Sequence, residues 1–228
     1  MFKKDRAVSE GRATRILLAD DHRPMREGMR GLIEKLPGAE VVAEAVDGIG
    51  AVRLAREFLP DLAILDVNMP TLNGIEATRR IVPEAPGVRI LGVSVYTDKR
   101  FVEEMLGAGA SGFLPKDSIF EELPHAIRVV ISGGTYLSPA ILDQVEPACI
   151  GEEPATYPAM LGVLASSERE ALKLIARGLS TEDIATRLRA SPEEVQGLRR
   201  KVMSKVGLYT MEGLARYALH QGLLGPDH

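Results

Sequence analysis

The sequence predicts an α/β domain with a five-stranded parallel sheet of the (βα)5 type, followed by a second, smaller all-α domain. Up to residue 131, short apolar runs alternate with segments of helical periodicity, which is typical of strands and helices in a parallel sheet. After residue 166 the strands stop and only helical segments remain. The length of 228 residues also exceeds that of most single domains. We therefore expect two domains joined by a linker.

Five strands and five helices are predicted for the first domain. The strands cover residues 15–19, 40–45, 62–66, 89–95 and 111–116. The helices begin near Pro24 and Gly48 and cover residues 74–81, 99–106 and 119–131. Because each strand is followed by a helix, the strands should run parallel, with helices on both faces of the sheet. This domain is expected to span residues 14–134.

A linker is predicted at residues 135–163, where prolines occur with little periodicity. The segment "PAILDQV" within it could form a short helix. The second domain is then expected at residues 164–228, and its helices at 168–177, 181–188, 192–206 and from about Met211 to Gln221. The second and third of these helices, joined by "RAS", have the lengths and the break of a helix-turn-helix.

Serine residues are predicted to cap three helices of the second domain. The pairs are Ser167 with Glu170, Ser180 with Asp183, and Ser191 with Glu194. In each pair the serine can accept from a free backbone N–H of the first turn, while the acid folds back on the serine's own N–H. Each cap stabilises its helix by about 1 kcal/mol.

Composition argues against several classes of protein. There is no run of eighteen apolar residues, and the start "MFKKDRAVSEGRATR" is charged where a signal peptide is apolar, so a cytoplasmic location is expected. A net charge of −4 argues against a chain that coats nucleic acid indiscriminately. From residue 166 onward, 10 Lys and Arg stand against 8 Asp and Glu, or +2, which leaves −6 for residues 1–165. Two such halves suggest different partners.

Cysteine, histidine and glycine patterns indicate no further site. Cys149 has no Cys or His neighbour at ligand spacing and is interpreted as an unremarkable linker thiol. The histidines show no metal or triad spacing and are interpreted as solvated or packed: His22, His125, His220 and His228. The segment "GAGASG" at 107–112 matches a dinucleotide-binding pattern, but it follows a helix and leads into a strand, so a tight turn is predicted there.

Acidic residues end or follow two of the predicted strands. Asp66 ends the third strand, and Asp20 and Asp21 come directly after the first. If these strands are neighbours, three carboxylates meet at the carboxyl edge of the sheet, where open α/β sheets bind ligands. They repel one another unless a cation lies among them, and hard oxygen ligands around a small pocket favour Mg²⁺. The alternative, that an acid after a strand only starts a helix, is the better interpretation of any single one.

Lys116 and Ser94 add a cation and a hydroxyl to the same edge of the sheet, since they end the fifth and fourth strands. Together with carboxylates for a metal and one candidate nucleophile, these are the parts that phosphoryl transfer requires. The run "LAILD" breaks at Asn68 to Pro70, which would leave Asp66 facing solvent. A structural turn without chemistry is the alternative interpretation.

Four segments closely resemble the receiver domain of bacterial response regulators, which has a flavodoxin-like fold: "LLADDH", "ILDVNMPTLNGIEA", "VSVYTD" and "GAGASGFLPKDS". The resemblance covers roughly residues 14–134. It implies that Asp66 is the phosphoacceptor and attacks a phosphohistidine of a sensor histidine kinase. It also implies Mg²⁺ bound by the carboxylates of Asp21 and Asp66 and the backbone carbonyl of Asn68, with Asp20 holding a metal-bound water.

The resemblance implies roles for three further residues. Lys116 would pair with the phosphoryl oxygens, Ser94 would hydrogen-bond the phosphoryl group, and Phe113, at the family's switch-aromatic position, would turn inward behind it. One charge-assisted hydrogen bond, worth roughly 1.5 to 3 kcal/mol, shifts a two-state equilibrium by about ten- to a hundredfold. Such a protein is not an enzyme beyond slow autodephosphorylation. The competing class, aspartate-nucleophile phosphatases, typically carries a second acid where Asn68 stands.

Residues 164–224 resemble the LuxR-type DNA-binding domain, from "LASSEREALKLIARGLSTEDIATRLRASPEEVQGLRRKVMSKVGL" to "EGLARYALHQGLL". Together with a receiver domain, this is similar to the NarL/FixJ class of transcriptional regulators. The resemblance implies double-stranded promoter DNA as a partner, phosphorylation as the switch and a homodimer as the active form. A receiver whose second domain binds protein is the remaining alternative.

The third helix of this domain has an apolar face and a polar face. At 100° per residue the apolar face holds Val195, Leu198, Val202 and Val206. The other face holds Glu193, Gln196, Gly197, Arg200, Lys201 and Ser204. In a major groove, Gln196 and Arg200 would reach base edges, while Lys201, with Lys205 or Arg199, would meet phosphates. A solvated charged face is the default interpretation of an isolated helix.

Some positions depart from the family pattern, which often has a basic residue where Gln196 stands and a histidine where Leu198 stands. Gly197 costs roughly 1 kcal/mol of helix stability. These departures bear on the target DNA sequence more than on DNA binding. Four residues of the last helix would supply the family's dimer contact or pack in the core: Leu214, Tyr217, Ala218 and Leu219.

Overall fold

The computed structural model describes residues 12–145 and 164–224. Cys149, His228 and residues 146–163 of the predicted linker lie outside the described residues. Among the helices of the described stretches, none combines the length and the apolar character needed to cross a membrane. The two stretches form an α/β domain and a helical domain, as the sequence predicts.

A parallel sheet of six strands forms the centre of the first domain. The strands are β1 (Thr14–Ala19), β2 (Ala39–Ala45), β3 (Leu62–Asp66), β4 (Arg89–Ser94), β5 (Gly112–Pro115) and β6 (Tyr136–Leu137). They lie in the order β2-β1-β3-β4-β5-β6, and all neighbouring pairs are parallel. β1 and β3 are therefore neighbours, with Ala19 beside Leu65, as the predicted carboxylate cluster requires.

Five helices cover the two faces of this sheet. They are α1 (Arg23–Ile33), α2 (Gly48–Phe58), α3 (Gly74–Glu84), α4 (Lys99–Gly107) and α5 (Ile119–Ile131). Side chains of α1 and α5 pack in one core layer, and those of α2, α3 and α4 pack in the other. Successive residues of a strand point to opposite faces, so Ile64 enters the first layer and Leu65 the second. Because both faces are covered, the central strands β1 and β3 are largely apolar runs, whereas the edge strand β2 is only partly buried.

The sequence predicts five strands and a linker from residue 135, and the structure adds a sixth strand there. β6 pairs with β5 at the edge of the sheet, and Ile141 and Val145 of the following segment are buried in the same core layer as α4. The short helix expected in "PAILDQV" is a single 3₁₀ turn at Leu142–Gln144. A strand of two residues is too short to show a periodicity, which is why the sequence did not reveal it. The domain boundaries at residues 134 and 163 stay predictions.

Four helices form the second domain around a core of their own. They are α6 (Ser166–Ala176), α7 (Thr181–Leu188), α8 (Pro192–Val206) and α9 (Met211–His220). The predicted bounds of α7 and α8 are confirmed, and these two helices form the predicted helix-turn-helix. Arg189 between them has a left-handed backbone, which ends α7 sharply.

The serine caps of α7 and α8 are formed as predicted, with one difference. Ser191 accepts from the N–H of Glu194, whose carboxylate accepts from the N–H of Ser191, so this capping box is confirmed. Ser180 accepts from the N–H of Asp183, but the carboxylate of Asp183 accepts from the serine hydroxyl and not from its N–H.

The cap predicted at Ser167 and Glu170 is wrong. The first helix of the second domain, α6, begins at Ser166, and the carboxylate of Glu168 accepts from the N–H of Ala165 at 2.7 Å. Glu168 is also buried against Lys205 of α8, with 2.7 Å between its Oε2 and Nζ. This tertiary contact favours a register that serine spacing alone does not reveal.

Candidate functional site

Three carboxylates converge at the carboxyl edge of the sheet. Asp20, Asp21 and Asp66 each place one oxygen within 4.8 Å of the others. Asp20 and Asp66 are buried, whereas Asp21 is exposed. The expectation that Asp66 faces solvent is therefore wrong, because its carboxylate is covered by its contacts with Lys116 and the loop that follows it. The convergence follows from the neighbouring positions of β1 and β3, because both strands end at this edge. The predicted cluster is therefore present in the fold.

Lys116 lies between two of these carboxylates. Its Nζ is 2.8 Å from Asp66 Oδ2, with hydrogen-bond geometry, and 2.7 Å from Asp20 Oδ2, as an ion pair without that geometry. β5 is separated from β3 by one strand, so the long side chain spans β4 to reach the site. One cation among three carboxylates leaves the cluster with an excess of negative charge.

Burial and charge act in opposite directions on the two ends of this ion pair. Burial raises the pKa of Asp66, and the hydrogen bonds from Lys116 and from the N–H of Asn68 offset only part of that rise. Burial lowers the pKa of Lys116, but the ion pairs with Asp20 and Asp66, together with the hydrogen bond that Lys116 donates to Asp66, outweigh it and raise the pKa overall. Added positive charge beside Asp66 would favour its ionised form. The donor set, hard carboxylate oxygens with a net negative charge, fits a divalent cation.

The backbone after Asp66 leaves the strand sharply, as the break in the apolar run predicts. The N–H of Asn68 turns back to donate to Asp66 Oδ1 at 3.1 Å, and Thr71 has a left-handed backbone. The chain then returns so closely that a Cβ on Gly74 would lie 2.1 Å from the carbonyl oxygen of Asp66. Only glycine fits there, so Gly74 fixes the shape of the loop that carries Asp66.

Ser94 and Phe113 lie on the neighbouring strands. Ser94 is fully buried at the end of β4, where its hydroxyl oxygen accepts from the N–H of Tyr96 at 2.9 Å. The hydroxyl proton of Ser94 is thus left to donate elsewhere. Phe113 is fully buried on β5, beside Leu137 of β6. The ring already lies inside the core, so its movement on phosphorylation stays a prediction.

The segment "GAGASG" is a helix-to-strand turn, as predicted. It connects α4 to β5, and Gly109 has a φ of +104°, a backbone conformation that favours glycine.

On the polar face of α8, some side chains are exposed to solvent and others are paired with neighbouring residues. Gln196 and Lys201 are exposed, and a Cβ at Gly197 would meet nothing within 4 Å. Val195, Val202 and Val206 are buried, and Leu198 packs against the same core, as predicted. Two of the side chains that the sequence assigns to DNA, those of Gln196 and Lys201, are therefore open to solvent.

Three of the basic residues assigned to DNA already have protein partners. Arg199 donates to Thr181 Oγ1 at 3.4 Å, and Lys205 pairs with Glu168. Arg200 pairs with Asp143, with 2.7 Å between Nη1 and Oδ2. Asp143 belongs to the segment after β6, so the Arg200 pair joins α8 to the first domain. Neither Asp143 nor Glu168 was marked by any sequence motif.

The C-terminal half of α8 packs on the first domain, against α5 and β6. Ser204, predicted to point outward, is buried, because the first domain covers this side of the helix. His125 of α5 lies with its Nε2 3.1 Å from the carbonyl oxygen of Lys205, and burial lowers the pKa of His125 to about 4. A Cβ on Gly207 would lie 2.8 Å from the carbonyl oxygen of Thr135, so the backbones of the two domains approach each other closely at this point.

The four residues of α9 that were considered for a dimer contact differ in their burial. Leu214, Tyr217 and Ala218 are buried in the core of the second domain, whereas Leu219 is 64% exposed. Core packing accounts for the first three, and Leu219 is the member of this set that is open to a partner.

The chain matches two protein families. Residues 16–128 match the family described as response regulator receiver domain. Residues 162–218 match the family described as bacterial regulatory proteins, luxR family. The first match contains all three carboxylates and Lys116, and the second contains α6, α7 and α8.

Relatives match over both domains. The transcriptional regulatory protein DegU of Brevibacillus brevis is 33% identical over 206 residues, which are 85% of this chain and 87% of the relative. The response regulator UvrY of Escherichia coli is 32% identical over 212 residues, 93% of this chain and 96% of the relative. A solved structure of a LuxR-family two-component response regulator from an Aurantimonas species has a TM-score of 0.56 and 42% identity, over 58% of this chain and 94% of that one.

Proposed function

This chain belongs to the family of bacterial two-component response regulators with a LuxR-type DNA-binding domain, and on that premise we propose that phosphorylation of Asp66 switches DNA binding by the second domain. A response regulator has a kinase as its partner, and its helix-turn-helix binds DNA. The protein is a transcription factor and not an enzyme. The roles of single residues, the metal, the assembly and a cytoplasmic location are parts of the proposal.

The proposed chemistry starts from the carboxylate of Asp66. One of its oxygens attacks the phosphorus of a phosphohistidine on a sensor histidine kinase, the P–N bond breaks, and its electron pair leaves with the imidazole, which takes up a proton. The product is an acyl phosphate on Asp66. Lys116, 2.8 Å from Asp66 Oδ2, is in reach of the phosphoryl oxygens, and the free hydroxyl proton of Ser94 can donate to them.

The proposed metal is Mg²⁺, held by the carboxylates of Asp21 and Asp66 and the backbone carbonyl of Asn68, with Asp20 acting through a water. When bound, it would neutralise charge that develops on the phosphoryl oxygens. The excess of carboxylates over lysine supports this donor set. Asp21 supports it further, since its carboxylate has no hydrogen bond or ion pair to any residue that the structure describes.

The switch is proposed to act through the contact between the domains. Arg200, which would read a base, is paired with Asp143 of the first domain, so this pair must open before Arg200 can enter a groove. A phosphoryl group adds about two negative charges and three acceptors at the sheet edge, enough to bias a two-state contact. Gln196 and Arg200 would then read bases, Lys201 with Arg199 and Lys205 would contact the phosphates, and Gly197, which has no side chain, would let the helix approach the DNA closely.

The active form is proposed to be a homodimer on double-stranded promoter DNA. Two copies would place their α8 helices in half-sites about one helical turn, or a multiple of it, apart. Leu219 is an exposed apolar residue on α9, which supports that helix as part of the contact.

The observation that carries the proposal is the convergence of Asp20, Asp21, Asp66 and Lys116 in a chain that also holds a helix-turn-helix. The test is to treat purified protein with Mg²⁺ and acetyl phosphate, to locate the added mass, and to select genomic fragments with and without the phosphodonor. We expect modification at Asp66 and fragments enriched only after it. Asp66→Asn should show neither effect. An unmodified but folded wild type, or enrichment that Asp66→Asn shares in full, would overturn the proposal.

A further inference from the structure

The three carboxylates of the metal site are held in unequal ways. Asp66 is fixed by Lys116 and by the N–H of Asn68. Asp20 is fixed by Lys116 and by the N–H of His22, which donates to Asp20 Oδ1 at 2.8 Å. Asp21 is exposed, and its carboxylate has no such partner among the described residues. The position of that carboxylate therefore depends on the backbone that carries it and on its own side-chain rotamer, and no described contact restrains the rotamer.

The backbone at this point is leaving the sheet. The last link between β1 and β2 runs from the N–H of Asp20 to the carbonyl of Ala45, at a long 3.3 Å. The next carbonyl, that of Asp20, belongs to the peptide bond that joins Asp20 to Asp21. It accepts from Nη1 of Arg26 at 2.7 Å. A charged donor at this distance makes a stronger hydrogen bond than a neutral one, so Arg26 holds the peptide where the sheet stops holding it.

Arg26 is itself held in place. It lies in the first turns of α1, its side chain is only 12% exposed, and its Nε donates to Glu44 Oε2 at 2.8 Å. Glu44 lies on β2, beside Leu18 of β1. The planar guanidinium thus uses one nitrogen to reach the sheet and another to reach the Asp20 carbonyl, a fixed geometry that the single point charge of a lysine does not reproduce.

We infer that Arg26 is a positioning residue for the metal site, because it orients the Asp20–Asp21 peptide and so keeps the Asp21 carboxylate within reach of Asp66. The inference rests on the proposed function, in which Asp21 is a ligand. Loss of Arg26 would let this peptide rotate and would make the Asp21 carboxylate sample positions outside the site. Asp66 and Lys116 keep their own contacts, so the loss should fall on metal affinity and not on the transfer step at saturating metal.

Arg30 provides a matched control. It lies one helical turn further along α1 and contacts the same Glu44, through the other carboxylate oxygen, as well as Glu34. No described contact joins its side chain to the backbone of Asp20 or Asp21. Arg30→Gln therefore removes the same charge from the same helix and from the same carboxylate, and leaves the Asp20 carbonyl bonded.

The test compares Arg26→Gln with Arg30→Gln in the full chain. Mg²⁺ affinity is measured by titration calorimetry without any phosphodonor, and the rate of modification by acetyl phosphate is measured against Mg²⁺ concentration. We expect Arg26→Gln to weaken Mg²⁺ binding about tenfold, the low end for partners that orient metal ligands. The Mg²⁺ concentration for half-maximal rate should rise by the same factor, while the maximal rate stays within about twofold. Arg30→Gln should match the wild type in both.

Two outcomes would overturn the inference. One is wild-type Mg²⁺ affinity in Arg26→Gln, and the other is a lower maximal rate with an unchanged Mg²⁺ requirement. If Arg26→Gln does not fold by circular dichroism, Arg26→Lys is compared with Arg30→Lys, and equal Mg²⁺ affinities in that pair would equally overturn it. A wild-type protein that acetyl phosphate does not modify would instead count against the proposed function.

Discussion

The hydroxyl oxygen of Tyr209 accepts a hydrogen bond from the backbone N–H of Leu137, with 2.6 Å between the two atoms. Tyr209 follows α8 in the second domain, and Leu137 is in β6 at the edge of the sheet. On its other side β6 pairs with β5, where Phe113 lies beside Leu137. Tyr209 thus bonds to the edge of β6 that faces away from β5. Lys116 directly follows β5, so a shift of β5 would change the contact between the domains.

Tyr209→Phe should loosen that contact. The change removes one oxygen and leaves the N–H of Leu137 without its acceptor, which costs about 1–3 kcal/mol when the group stays buried. We expect the unphosphorylated variant to bind its DNA site about tenfold more tightly than unphosphorylated wild type, measured by fluorescence anisotropy. After phosphorylation the two should agree. Tyr217→Phe, which changes a tyrosine inside the core of the second domain, is the control, and an equal effect in both variants would contradict the prediction.

Asp143→Asn should release Arg200 from the first domain. The pair is largely exposed, with Asp143 at 72%, so it contributes at most about 1 kcal/mol. We expect a gain of at most about fivefold in the DNA affinity of the unphosphorylated protein, and a smaller gain at high salt, since salt screens exposed pairs. Glu212→Gln removes the same charge from the exposed ion pair with Arg216 and serves as control. No difference between the two variants would show that Arg200 is not restrained by Asp143.

The sequence predicted the carboxylate site better than it predicted the contacts that hold the second domain against the first. Asp66 ends a strand and Asp20 and Lys116 each follow one directly, and the order of a parallel sheet brings such positions together once the strands are recognised. Asp143 and Tyr209 carry no such signal, because their partners lie in the other domain. β6 carries none because a strand of two residues is too short for a periodicity. Contacts between separately folded units depend on surface shape, which local patterning does not encode.

His125 should make the contact between the domains sensitive to acid. Its pKa is lowered from 6.5 to about 4 by burial first and by the charge of Arg128 next, with the charge of Lys205 adding to the effect. The folded state therefore keeps His125 neutral, and the stability that this neutral histidine contributes is full above pH 6.5 and is lost as the pH falls toward 4. The loss reaches about 3 kcal/mol at the low end. Melting temperatures measured between pH 7 and about pH 4 test this.

His125→Gln should remove that part of the pH dependence, because the amide does not titrate. Other carboxylates titrate in the same range, so the comparison is between variants and not between pH values. His220→Gln, on the exposed face of α9, removes an imidazole away from the contact between the domains and is the matched control. Equal slopes in His125→Gln and the wild type would show that this histidine does not report on docking.

Gly74→Ala should slow the phosphorylation of Asp66 without changing a reacting atom. A Cβ at this position would lie 2.1 Å from the carbonyl oxygen of Asp66 and 2.9 Å from its carbon, both in backbone that cannot rotate away. The loop must therefore shift, and with it the carboxylate of Asp66 and the N–H of Asn68 that holds it. Overpacking of this kind costs about 1–3 kcal/mol. We expect a lower melting temperature and at least a tenfold slower modification by acetyl phosphate.

Gly31→Ala separates the effect of the clash from that of losing a glycine. Gly31 lies within α1, and a Cβ there would meet nothing within 4 Å. Alanine is the better helix former by about 1 kcal/mol, so this variant should melt at a higher temperature and accept phosphate at the wild-type rate. The two variants add the same methyl group, so they differ only in the clash. A wild-type rate of modification in Gly74→Ala would contradict the prediction, because it would show that the close approach of Gly74 to Asp66 does not fix the position of the Asp66 carboxylate.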